Sequence, residues 1–458
     1  VDEPADETGR TEGGAHPRDR LKRDLRALDA TFLVVSGVIG SGIFLTPGGI
    51  ADLLPHPGLM LTAWLVGGGL SLAGALANAE LGAMFPQAGG DYVYLREAFH
   101  PLAGFLVGWL SFFVIYTGTI ATLAAGFASA LTYFVPMTDA TMLAVAVGVT
   151  LAVSALNFVG VRFGAAANNL TAAIKVFALV GFAVSGPLFG TGDSANLHPL
   201  VTGATELTLS AFALAMSPVL FSYLGWNSSV YVASEIHDPA RNLPRSLFFG
   251  VAICTAVYLL VNAAYLYAMP VEVLRHEANA GKGAALALFG EFGGAAVAAF
   301  VLISILGTLN AMVLVGPRIA YAMALDGLFL RRFDRAHPRY RTPAYAIVLQ
   351  ALMSVGILIA FGNFERALDY TVFAILLATM ADVAALYALR RSQPGRRRPY
   401  RAWGYPWVPA LYFLANAGVA CALLLENPLD CAAGLAIVAA GVPFYRLFSR
   451  QLSRGPGG

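Results

Sequence analysis

The sequence predicts an all-α polytopic membrane protein with 12 transmembrane helices, and three observations predict it. Of its 458 residues 58% are hydrophobic and only 12% charged, with a mean hydropathy of +0.68, far from the composition of a soluble domain. Apolar runs close to the roughly 20 residues that carry a helix across about 30 Å of hydrocarbon recur along the whole chain. The basic residues alternate between loops: with the N-terminus inside, 25 of the 29 Lys and Arg fall in cytoplasmic segments, the bias that sets orientation.

Residues 1–20, which include "VDEPADETGRTEGGAHPR", are polar and Gly-rich without periodicity, and read as a disordered cytoplasmic tail. No apolar segment with a cleavage site marks them as a signal peptide. Spans follow at 28–53, 58–84, 102–134, 140–159 and 165–189, then at 207–235, 246–269, 284–324, 343–361 and 366–389, and finally at 406–425 and 429–448. They group into a first five-helix unit at 21–190, a second at 206–390, a terminal pair at 405–448 and a second cytoplasmic tail at 449–458.

The first span contains "GVIGSGIF", Gly37 to Phe44, with three glycines and a serine where hydrocarbon punishes unpaired backbone most. Irregular backbone survives at that depth only beside protein or a water-filled cavity, so the stretch predicts a cavity. Five spans later "SPVLFSYLGWNSSVYVASE" places Pro218, Ser222, Gly225, Asn227, Ser228 and Ser229 in a second apolar run. Interruptions at corresponding spans of two five-helix units point to a transporter of inverted repeats with its site at the midplane. A broken helix exposes carbonyls on one half and amides on the other, with partial charges of opposite sign. A zwitterionic α-amino acid fits between them.

The same residues exclude other classes. A nucleotide-binding glycine loop would follow a strand and precede a lysine, and neither is present. The basic runs "RLKRDLR", "LRRFDRAHPRYR" and "RRSQPGRRRPYR" are topology determinants, so no nucleic-acid partner is implied. Cys254, Cys421 and Cys431 all fall within spans and offer neither a disulfide framework nor a metal cluster. No Ser/His/Asp grouping, paired carboxylates or cofactor motif lines the expected cavity, so no enzyme activity, metal or cofactor is expected.

Lys175, Glu80, Glu235 and Asp382 are charged residues within spans that call for an account. Lys175 lies ten residues into the fifth, about 15 Å along the helix, too deep for its side chain to reach either interface. An amine there faces the bundle or a polar cavity. Glu80 and Glu235 sit toward cytoplasmic helix ends, where salt bridges to Arg245 or Arg96 are expected. Asp382 is deeper, and reads equally as a buried hydrogen-bonded carboxyl or as part of gating or proton coupling.

The chain resembles the amino acid–polyamine–organocation superfamily and, within it, the L-type amino acid transporter family and its bacterial relatives. The resemblance runs from about residue 21 to 448, on "GVIGSGIFLTPGG", "AELGAMFPQAGGDYVYLREAF", "FSYLGWNSSVYVASEIHDPARNLPRSL" and "VYLLVNAAYLYAM". It implies the leucine-transporter-type fold, a five-plus-five inverted repeat with broken helices 1 and 6. Family binding positions map onto Ile39, Gly40, Ser41 and Gly42 in the first span and Phe221, Ser222 and Leu224 in the sixth. The Phe221 carbonyl would receive the substrate ammonium and the amides around Ser41 and Gly42 its carboxylate. Trp226 matches a gating aromatic, and Tyr258 a position that could bridge to the site or merely pack. Lys175 would stand where sodium-coupled members hold a cation, which argues against sodium coupling.

The implied function is sodium-independent exchange of small neutral L-amino acids of the alanine, serine, cysteine and glycine type, by alternating access across the plasma membrane. A proton-coupled symporter and a membrane amino acid sensor are the alternatives. Large-neutral members carry glycine where this chain has Leu224. Animal members join a heavy subunit through a cysteine between spans three and four, where this chain reads "VPMTD". No disulfide-linked partner is therefore expected, and a monomer or a homodimer stays open.

Overall fold

The computed structural model describes residues 19–200, 209–361, 366–426 and 428–453. The expected tail over 1–18 and the last five residues lie outside them. Helices dominate, and among the described residues only two isolated β-bridges occur, Leu25 with Ile236 and Ala88 with Val232.

The first span is two helices, α1 (Ala27–Val38) and α2 (Gly42–Leu53), bent by 46° at the break. Then come α3 (Pro57–Met84), a short α4 (Asp91–Ala98), α5 (Pro101–Leu131), α6 (Asp139–Val159) and α7 (Val161–Phe189). The sixth span is again a pair, α8 (Leu209–Tyr223) and α9 (Ser228–Tyr231). After it run α10 (Pro239–Ala268), α11 (Ala280–Val315), α12 (Pro317–Leu325), α13 (Ala344–Phe361), α14 (Arg366–Ser392), α15 (Trp407–Glu426) and α16 (Pro428–Ser453).

Each of the 12 expected spans is thus matched by a helix or helix pair, with shifted ends. The seventh begins at Pro239 and not at 246, because Pro239 stands in its first turn, where a missing N–H is harmless and φ is already helical. Pro57 and Pro101 open α3 and α5 in the same way. Helix α4 was read as loop, being too short and polar to cross a bilayer. Residues 19 and 20, placed in the tail by composition, are tied down: the Arg20 amide donates to Tyr321 Oη at 3.0 Å.

Both broken spans lie inside the bundle. Helix α1 packs against α10, α7 and α11, while α2 packs against α8 and α11. Helices α6 and α7 bury little of their apolar length and expose Leu151, Phe163 and Phe177, as a rim facing lipid does. In α5 a π-helical turn spans Ser111–Tyr116, and the Thr117 hydroxyl donates to the Phe112 carbonyl at 2.6 Å to satisfy the widened ladder. The extra residue carries Tyr116 onto Tyr231 of α9, ring centroids 5.4 Å apart.

Candidate functional site

The first break follows from its sequence. Glycine and serine at positions 40 to 42 forfeit helix propensity, and Ile39 leaves the helical region with ψ of 86°. Helix α2 then restarts at Gly42 with no side-chain cap on its first turn. The amides of Ser41, Gly42 and Ile43 consequently have no backbone acceptor, as expected at a helix N-terminus, whereas those of Phe44 and Leu45 return to the Ser41 carbonyl.

The carbonyls released at the end of α1 are taken by side chains from three other spans. Lys175 Nζ, fully buried, donates to the Ile39 carbonyl at 2.6 Å and the Ser36 carbonyl at 3.2 Å. Its third contact is Thr308 Oγ1 of α11 at 2.7 Å, so all three ammonium protons are used. Thr308 also lies 3.0 Å from the Ser36 carbonyl, and Ser304, one turn earlier, reaches Ile39 at 3.4 Å. Tyr258 Oη of α10 lies 2.8 Å from the Val38 carbonyl and 2.9 Å from the Ser222 carbonyl. One phenol therefore bridges both breaks.

The second break begins where α8 ends. The Phe221 carbonyl accepts the Leu224 amide at 3.1 Å, which leaves one of its two lone pairs for a ligand. Gly225, at φ of +95°, reverses the chain in a region closed to most side chains. A Cβ on Gly225 would stand 2.7 Å from the Gly37 carbonyl, and one on Gly37 only 2.6 Å from Ser228 Oγ. The breaks touch backbone to backbone. Farther out, Gly42 abuts Ser222, whose Oγ pairs with Thr46 Oγ1 at 3.0 Å. Gly40, Ser41, Phe221 and Leu224 remain half-exposed among buried neighbours, the residues a cavity between the breaks would uncover.

Trp226 packs between Gly74 of α3 and Tyr412 of α15, its ring 6.1 Å from that of Tyr412. It therefore stands on the side of the sixth span away from the first break. The other expected residues converge: Ile39 through its carbonyl on Lys175, Ser222 on Gly42, and Tyr258 on both.

The acidic residues depart from expectation in their partners. Glu80 pairs with Arg390 and Arg398 and accepts the Ala402 amide, not Arg96 or Arg245. Glu235 pairs with Arg318, through contacts of 2.7 and 3.1 Å. Both pairs are two-pronged, and Arg96 is committed to Asp326 and Glu97. Around Glu235 the segment before α1 is pinned to the end of the sixth span: the Glu235 backbone carbonyl takes the Leu25 amide at 2.9 Å, and the His237 amide donates back to Leu25 at 2.8 Å.

Sequence reading missed Thr308, Ser304 and Thr46. Ser304 and Thr308 did leave a signal, since in "SILGTLN" they stand four apart on one face of an apolar helix.

A bundle entered by two broken helices, with open amides at one break and a free carbonyl lone pair at the other, defines a transporter of the leucine-transporter type. The chain belongs to the amino acid permease family, whose profile matches residues 25–429. It is 30% identical to the serine/threonine exchanger SteT of Bacillus subtilis over 434 residues, 94% of this chain and 98% of that protein. It is 29% identical over 451 residues to mouse Asc-type amino acid transporter 1, covering 94% of this chain and 82% of the relative. With the human large neutral amino acids transporter small subunit 2 it shares 31% over 441 residues, 93% and 80% of the two chains.

Proposed function

We propose that the protein exchanges small neutral L-amino acids across the plasma membrane by alternating access, without sodium, and that both termini face the cytoplasm. The observation that carries this is the pair of touching breaks with Lys175 Nζ on the carbonyls of the first. The open amides of Ser41, Gly42 and Ile43, at the positive end of α2, suit a carboxylate. The second lone pair of the Phe221 carbonyl suits the substrate ammonium, and Ser222 can add a hydroxyl. A fixed amine on the Ser36 and Ile39 carbonyls does what a bound cation would do there, holding the broken segment in one shape.

The names of the serine/threonine exchanger and the Asc-type transporter support exchange and small substrates. The large-neutral relative favours a wider pocket, and Leu224, half-exposed at the break, argues against it by filling that space. Trp226 and Tyr258 are assigned to gating, Tyr258 through its hydroxyl on both breaks. No disulfide-linked heavy subunit is assigned, because the segment at 132–138 holds no cysteine for the link. With the cytoplasmic orientation that the arginines indicate, the end pinned around Leu25, Glu235 and Arg318 is the cytoplasmic one, and these contacts are read as shutting it.

The test is exchange of labelled serine or alanine in proteoliposomes, in sodium and in choline buffer, against a panel of unlabelled amino acids. Equal rates in both buffers are expected, with alanine, serine, cysteine and glycine competing and phenylalanine and arginine failing. Steep sodium dependence would overturn the exchanger reading. Equal competition by phenylalanine would overturn the small-substrate one.

A further inference from the structure

Asp91 and Asp382 meet inside the bundle, and neither has a part in the site described above. Asp91, at the start of α4, accepts a hydrogen bond from Tyr231 Oη of α9 through Oδ2. Asp382 of α14 accepts one from Asn78 Nδ2 of α3 at 2.9 Å, again through Oδ2. Each residue is 1% exposed. In both, the second oxygen, Oδ1, is buried and lacks a donor. The two carboxyls are close enough to act on one another.

Two ionised carboxylates can only accept, so a bond between them needs a proton on one of them. Like charges in contact away from water enforce the same result. A single proton shared between the carboxyls supplies the missing donor, as one O–H···O⁻ bond, and leaves the pair with one negative charge.

Among the described residues, the surroundings offer no rival neutralisation. The groups that face the pair are Tyr94 of α4, Tyr116 of α5, Tyr231 of α9, Tyr412 of α15 and the Asn78 amide of α3. None is basic. The arginines on the elements packed nearby are engaged elsewhere: Arg96 with Asp326 and Glu97, Arg390 with Glu80, and Arg318 with Glu235. Burial pushes the Asp91 carboxyl up from its ordinary range, which favours a proton on the pair.

The pair also lies where four elements of the bundle meet. It joins α4 and α9, which belong to the shut cytoplasmic end, to α3 and α14. We propose that Asp91 and Asp382 are a one-proton binding site linked to the transport cycle: the cytoplasm-closed state holds a proton between the two carboxyls, and opening parts them, ionises both and releases that proton to cytoplasmic water. This inference rests on the alternating-access reading. The O–H bond of the shared carboxyl breaks, water takes the proton, and both Asp residues end as carboxylates. Because the proton comes from and returns to the same side, it sets how readily the gate opens and does not drive accumulation.

The closed state binds one proton more than the open one, so falling cytoplasmic pH favours closure. The closed-to-open ratio changes by up to about tenfold per pH unit. Infrared difference spectra of the purified full chain at neutral pH are expected to show the carbonyl band of a buried protonated carboxyl, lost in Asp382→Asn. In right-side-out vesicles, exchange by the wild type should quicken as internal pH rises between about 5 and about 8, and respond little to external pH. Asp382→Asn places a permanent amide donor against Asp91 and should flatten that internal profile. Should this variant fail to fold, Asp91→Asn carries the same comparison, and the wild-type infrared band stands by itself. Absence of the band in the wild type, an unchanged pH profile in the variant, or dependence on external pH alone would each overturn the proposal. A chain that exchanges no amino acid refutes the function above, while the infrared band still decides whether the pair holds a proton.

Discussion

Replacing Lys175 with alanine removes the amine that holds the first break, and the structure sets the size of the effect. The side chain makes hydrogen bonds to two carbonyls, Ile39 and Ser36, and to Thr308 Oγ1. Bonds from a charged donor contribute about 1.5–3 kcal/mol each. Thr308 accepts from Lys175 and keeps its own O–H, which lies 3.0 Å from Ser36 and 3.3 Å from Ile39, so one carbonyl stays served without the amine. The net loss is therefore one such bond, or about a 10- to 150-fold smaller population of the ordered break. Global stability should change less, because the cost of burying an amine disappears with it. The assay is initial exchange at low substrate beside the melting temperature of the solubilised protein: exchange should fall by that factor while the protein stays monodisperse. Lys175→Met, which keeps the length of the stem without the amine, should behave alike. Unchanged affinity and maximal flux in both variants would refute the reasoning and leave Lys175 a bystander.

Leu224→Gly should gain inhibition by leucine and phenylalanine while losing some affinity for alanine, since a close-packed pocket excludes larger side chains by overlap. A competition panel that keeps its size profile would remove Leu224 from the pocket. Gly225→Ala should abolish exchange and lower the melting temperature, because the new Cβ would stand 2.7 Å from the Gly37 carbonyl at a φ of +95°. Overpacking of this kind costs about 1–3 kcal/mol. Gly49→Ala, with no heavy atom within 4 Å of its Cβ, should leave both readouts unchanged.

The spans and both breaks were legible because a bilayer makes two demands that sequence records directly: length of apolar run and scarcity of glycine, serine and proline within it. Lys175 was legible for the same reason, as a charge with no route to water. What could not be read were matches made across the bundle. Glu80 finds Arg390 and Arg398 from residues more than 300 positions away, and nothing local distinguishes those arginines from Arg96 or Arg245. Helix α4 was hidden by its polarity, which reflects a buried junction and not a solvated loop: Asp91, Tyr92, Val93 and Tyr94 are all buried. Asp382 showed only its depth. Its partner Asp91 stood outside every apolar run and drew no notice, although the pair becomes plain once both are placed.

The contact between Gly37 and Gly225 has a mechanical consequence. Where two helices meet through side chains, a tilt of one can be absorbed by torsions of those chains, and the motion fades within the interface. Here no side chain intervenes, and the Cβ a larger residue would carry would stand 2.7 Å from a carbonyl oxygen. The two backbones thus form a bearing with almost no slack. A displacement of α1 at one end of the molecule passes to the sixth span undiminished, with the glycine contact as fulcrum and the helix halves as lever arms.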